Sequence, residues 1–146
     1  MSRFMTRWTL PAMLLVAVIA AGCSGTKTQT ADKDDTKVEV ASVELGRTVD
    51  ADKRIADKAE EFKPSDTIYA SVVTNGIASD AELKALWTHE DSGQVVDEST
   101  QRISPAGNAA TEFHIMKASG LPTGKYKLQI FLNGTPVKDE TFEVKA

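Results

Sequence analysis

The chain has 146 residues, 41% of them hydrophobic, with 17 basic against 21 acidic residues and a single cysteine. That is one domain's worth of sequence, able to bury a core without staples, and the lone cysteine excludes an internal disulfide. A net charge of −4 excludes both the clustered cationic surface that nucleic acid requires and an electrostatic hold on an anionic leaflet.

The first element is the apolar run from Leu10 to Cys23, preceded by Arg3 and Arg7 and by no acidic residue. A basic start, a short apolar centre and small residues before a cut site form the layout of a secretory signal peptide. From Leu10 to Gly22 the run is well short of the roughly 20 residues that a membrane span needs. Simple secretion and a retained anchor are the alternatives, and with them the lone cysteine of an exported protein would pair between molecules or stay a free thiol. Removal of the leader makes the rest of the chain more acidic, because Arg3 and Arg7 leave with it.

The ending Ala20-Ala21-Gly22-Cys23 resembles the lipobox of bacterial lipoproteins, although Ala20 stands where that motif more often has Leu. The resemblance implies a signal peptide over 1–22, cleaved before Cys23, with Cys23 diacylated on sulfur and its new amine acylated. Two or more acyl chains give stable anchoring where one does not. Ser24 in the next position implies sorting to the outer membrane, facing the periplasm.

Ser24 to Lys37 holds no large apolar residue and cannot offset the entropy of ordering. With the acylated cysteine, 23–37 therefore reads as a disordered tether, with a reach of roughly 20 Å. From Val38 a folded domain over 38–146 is expected. Val38 and Val40 alternate with charge, then Val43 and Leu45 do so one residue out of register, which predicts a bulge around Ala41-Ser42. Val49 to Lys63 is ambiguous: Ile55, Ala59 and Phe62 share one helical face, yet a charged connection fits the composition as well.

Asp66–Thr74 is a β-branched strand closed by Asn75-Gly76, and Glu82–Glu90 follows with Leu83, Ala85 and Trp87 on one face. Asp91-Ser92-Gly93 turns that strand into Gln94–Ile103. After the break at Pro105–Asn108 comes Ala110–Lys117, with Phe113 and Ile115 inward. Tyr126, Leu128, Ile130 and Leu132 then share a face and run into Asn133-Gly134, the strongest short signal for a type I′ hairpin. Phe142 and Val144 close the chain. About seven short strands with frequent turns and no convincing helix predict an all-β antiparallel sandwich.

Two residues favour an immunoglobulin-like sandwich: Trp87 in mid-strand and Tyr126 at the start of the penultimate strand, where such folds place a buried Trp and a corner Tyr. The disulfide positions of antibody domains would be apolar, near Val72 and at Leu128. From Phe62 onward, through Gly-Lys-Tyr-Lys-Leu-Gln-Ile-Phe-Leu-Asn-Gly, the chain resembles bacterial extracytoplasmic Ig-like domains. That resemblance rests on core and turn residues and implies fold, not activity.

Catalytic signals are missing. No serine lies in Gly-x-Ser-x-Gly or Ser-x-x-Lys, and the acidic runs lack the form of a calcium loop. The two histidines, His89 and His114, have no neighbouring Cys, His or carboxylate cluster from which a metal site would be built. No catalytic residue, cofactor or metal is expected.

Parity supplies the sharper expectation. If Trp87 and Leu128 face the core, Leu86 and Phe131 point outward from neighbouring strands, with Thr88 and Gln129 beside them and Val137 a further candidate. An apolar patch rimmed by polar groups is the form of a binding surface. The competing expectation is that Phe62 or the Val49–Lys63 segment folds over the patch and makes a second small core. Together these readings predict a non-catalytic binding or assembly module, held to the membrane by its lipid and engaging an envelope protein. The alternatives are an envelope hydrolase with a dispersed site, or a hydrolase inhibitor using the 104–109 or 120–124 loop.

Overall fold

The computed structural model describes residues 37–146. The expected signal peptide, the expected acylation site Cys23 and nearly all of the expected tether lie outside the described residues. Nine strands follow in order: β1 (Glu39–Val49), β2 (Ile55–Lys58), β3 (Glu61–Phe62), β4 (Ile68–Asn75), β5 (Ala81–His89), β6 (Gln94–Ile103), β7 (Ala109–Ile115), β8 (Gly124–Leu132) and β9 (Thr135–Val144).

They form a four-stranded sheet of order β2-β1-β4-β7 and a five-stranded sheet of order β3-β9-β8-β5-β6. All neighbours are antiparallel except β3 and β9, which run parallel. β1, β4 and β7 occupy the A, B and E positions of an immunoglobulin-like sandwich, and β9, β8 and β5 the G, F and C positions. β6 extends the second sheet beyond β5, in the place where variable-type domains add a strand.

The seven long strands are those expected; the two extra come from the ambiguous stretch. Val49–Lys63 is neither a helix nor a plain connection. Its residues 55–58 pair with the end of β1, and Glu61-Phe62 pairs with Glu143-Val144 of β9. The bulge expected near Ala41 is present, because the β1–β4 register shifts between Val40 and Ser42. Asn133 and Gly134 both have positive φ, 50° and 81°, as a type I′ turn demands.

The core is where the alternation placed it. Trp87 and Leu128 are cross-strand partners with no exposed surface, and Val72 of the other sheet, equally buried, belongs to the same core cluster. Phe142 organises the aromatic part. It stacks on Tyr126 at 5.0 Å between ring centroids and meets Trp87 and Phe62 edge-on at 5.9 and 5.6 Å. Tyr126 donates its hydroxyl to the carbonyl of Pro122 at 2.6 Å, the bond that defines the tyrosine corner.

Phe62 is a core residue, 2% exposed, and so covers no outer face. The rest of its segment covers the opposite sheet from the one expected. Arg54, in the turn between β1 and β2, donates to the side chain of Asn108, which precedes β7. Since β1 and β4 lie between β2 and β7, this contact takes the β1–β2 hairpin across the outside of the four-stranded sheet. Ile55 is buried against Gly46, and the outward-pointing Ser71 and Val73 of β4 are buried as well.

Candidate binding face

Sheet register decides which side chains meet on the uncovered face of the five-stranded sheet. Leu86 lies opposite Gln129, Lys84 opposite Phe131, and Thr88 opposite Lys127. Leu86 and Phe131 are therefore diagonal neighbours and not directly opposed, yet still within reach of each other. Both are half-buried. On the β6 side, Val95 faces Thr88 and Glu98 faces Leu86. On the β9 side, Pro136 faces Phe131.

The apolar side chains thus follow a diagonal from Val95, 59% exposed, through Leu86 and Phe131 to Pro136 and Val137, the last 39% exposed. Val137 reaches this line because the β8–β9 register shifts between Ile130 and Phe131, leaving it as the extra residue. A shallow depression formed by Gln129, Pro136, Val137 and Asp139 ends the stripe. Thr88 and Gln129 flank it, as parity predicted.

Lys84 is the member that parity missed. Its ammonium sits 4.4 Å from the centroid of the Phe131 ring and 3.9 Å from a carboxylate oxygen of Glu98. A cation over an aromatic face is worth about 0.5–1 kcal/mol at an exposed site. The stripe is therefore amphipathic, with a cation over its aromatic centre. Only the β5–β8 register reveals this, since Lys84 and Phe131 lie far apart in sequence.

The histidines are separated, one on each sheet. His89 accepts from the Ser92 hydroxyl at Nδ1 (2.7 Å) and donates from Nε2 to the Thr123 carbonyl (3.1 Å). Its ring also meets Tyr126 at 4.8 Å. Asp91 accepts from the Lys125 amide, and a Cβ on Gly124 would lie 2.3 Å from the Asp91 carboxylate and 2.6 Å from His89 Nε2. His89, Asp91 and Ser92 thus bind the β5–β6 turn to Thr123 and the start of β8, beside the tyrosine corner. His114 pairs with Glu112 at 2.6 Å and packs against Tyr69 on the four-stranded sheet. Among the described residues no three His, Cys, Asp or Glu side chains converge as metal ligands.

The two loops considered for hydrolase inhibition are tied down. Pro105 is buried and its carbonyl accepts from Ala78, while Gly107 donates to Gly76. The 120–124 loop is held by Tyr126, by His89 and by the Leu121 amide on the Pro64 carbonyl.

No protein-family model matches this sequence, and no curated protein does. Among solved structures, an immunoglobulin-like protein from Pseudomonas aeruginosa is similar over 76% of this chain and 98% of its own, with a TM-score of 0.52 and 15% identity. An alkylpurine DNA glycosylase from Pseudomonas fluorescens, bound to DNA containing an abasic site analog, is similar over 76% of this chain, with a TM-score of 0.50 and 12% identity. Only 31% of the glycosylase is covered. At such identities the likeness concerns architecture alone. The described domain is an immunoglobulin-like β-sandwich.

Proposed function

We propose that this chain is a lipid-anchored module of the bacterial cell envelope, acylated at Cys23 and held on the outer membrane facing the periplasm. It works without catalysis, by binding an envelope protein through the outer face of its five-stranded sheet. The observation that carries this reading is the destination of the β1–β2 hairpin. It crosses part of the four-stranded sheet, over Gly46 and towards Asn108, and leaves the stripe of Val95, Leu86, Phe131 and Val137 at the surface. An apolar surface rimmed by polar groups marks an interaction site.

The anchor and the face are tested separately. Mass spectrometry of the native protein should show acyl chains on Cys23, and Cys23→Ser should move the protein from the membrane to the soluble fraction. An unmodified thiol refutes the location. A photo-crosslinking residue at Gln129 should capture a discrete envelope protein in intact cells, and Phe131→Ser should abolish the product. The same probe at Glu44, on the other sheet, should capture nothing. Equal capture from both positions refutes the face. The hydrolase reading would prevail if the wild type cleaved ester or cell-wall substrates and His89→Ala, still folded, lost that activity.

A further inference from the structure

We infer that two copies of this chain associate edge to edge through β6, antiparallel and centred on Thr100, to form one continuous sheet. An edge strand presents a row of unpaired amides and carbonyls, which natural proteins blunt with proline, lysine, bulges or a covering segment. The other edges of this sandwich carry such devices. β2 covers the end of β1, and β3 covers the end of β9. The open part of β9 contains Pro136 and Lys138 and a register break. On β7 the Glu112 carbonyl accepts from the side chain of Gln101, which reaches across from the core-facing side of β6, at 2.6 Å.

β6 differs. It is ten residues long, contains neither proline nor lysine, pairs on one side only, and confines its own register break to its start, between Val95 and Asp97. From Asp97 to Ile103 its register against β5 is unbroken, so that stretch presents a regular edge.

Charge selects the register. Glu98, Thr100 and Arg102 are exposed and alternate along the outer face of β6, opposite Leu86, Lys84 and Glu82. In a two-fold antiparallel pair centred on Thr100, Glu98 of each copy lies directly opposite Arg102 of the other, and the two Thr100 hydroxyls meet on the axis. Opposite charges and Thr–Thr pairs at directly facing positions stabilise a ladder, whereas like charges oppose it. Centring on Glu98 sets two carboxylates face to face, and centring on Arg102 sets two guanidiniums face to face. Centring on Ser99 or Gln101 leaves both charges unmatched. Arg102 is already oriented by two contacts to Asp80, at 2.7 and 2.8 Å, so less side-chain entropy is lost when Glu98 of the second copy approaches. The two-fold axis is perpendicular to the sheet and puts both apolar stripes on the same side. This inference stands apart from the anchor and from the identity of the partner.

The test is sedimentation equilibrium of the full chain in density-matched detergent. The wild type should dimerise, and Glu98→Arg or Arg102→Glu alone should each weaken the dimer about tenfold or more. The double variant, with the charges exchanged in both copies, should restore it. Thr100→Asp, which sets two carboxylates on the axis while facing Lys84 of its own copy, should weaken the dimer to a similar degree, with the monomer still folded by circular dichroism. A wild type that stays monomeric, single reversals without effect, or a double variant that fails to recover would each overturn the inference.

Discussion

The two sheets of this sandwich were given opposite treatment on their outer faces. On the four-stranded sheet a hairpin rich in charged residues crosses the surface, held by Ile55 against Gly46 and by Arg54 on Asn108. Beneath it Ser71 is fully buried, and its hydroxyl has no partner among the described residues. On the five-stranded sheet Leu86 and Phe131 stay half-buried, with Lys84 over the ring as their polar cover. One face shields even a polar group from water, and the other leaves a valine 59% exposed. The lesson is that a lid is defined by close backbone approach, which a small residue permits, more than by apolar area.

Gly46 gives the largest expected effect. A Cβ there would stand 2.2 Å from the Asp57 carbonyl oxygen and 2.4 Å from the Ile55 Cγ2. The first of these is backbone and cannot swing aside. Gly46→Ala should destabilise the domain by about 2 kcal/mol, within the range for overfilling a packed site, as read from urea unfolding. Limited proteolysis should then cut first within 50–54. If Gly46→Ala unfolds at the wild-type midpoint, the hairpin is not seated as described.

Phe131→Ser is the counterpart on the open face. The ring is half-buried and meets Lys84 across the surface, so its removal should cost under about 1 kcal/mol. A loss as large as that from Gly46→Ala would mean that Phe131 belongs to a second core, and the contrast between the faces would fail.

Much of the fold could be read before any coordinates because its signals are local. Alternation marked Leu83, Ala85 and Trp87 as inward, the register shift at Ala41 showed in the spacing of the valines, and Asn133-Gly134 announced its hairpin. Tyr126 and Trp87 carried the topology, since their positions along the strands are tied to the immunoglobulin pattern. The Val49–Lys63 segment was illegible for a physical reason. Its strands are short, most of its exposed residues are charged, and only Ile55 and Phe62 are buried. Two buried residues cannot establish a period. The outward direction of Leu86 and Phe131 followed from parity, but the cation of Lys84 over the ring depends on a register fixed by the whole β5–β8 ladder. For the same reason β6 was not recognised as the bare edge. Edge position is a property of sheet order, which strand sequences alone do not encode.

The smallest expected effect lies at the seam between the sheets, beside β1 and β9. Glu140 faces Leu128 across the β8–β9 ladder and lines a crevice with Val43, Leu45, Ala59 and Glu60. Burial pushes its carboxyl above the usual carboxylate range; Lys138 offsets part of this and Glu60 adds to it. A carboxyl whose folded pKa lies above its unfolded one holds its proton more tightly in the native state. Its destabilising contribution is therefore complete above the folded pKa and fades as the pH falls through that value towards the unfolded one. Glu140→Gln should be slightly more stable than the wild type at pH 7, and the advantage should shrink on acidification and vanish below the ordinary range for Glu. Thermal melts across that pH interval measure it. A gap that widened with acid would mean that Lys138 overcomes burial, so that the ionised carboxylate stabilises the seam.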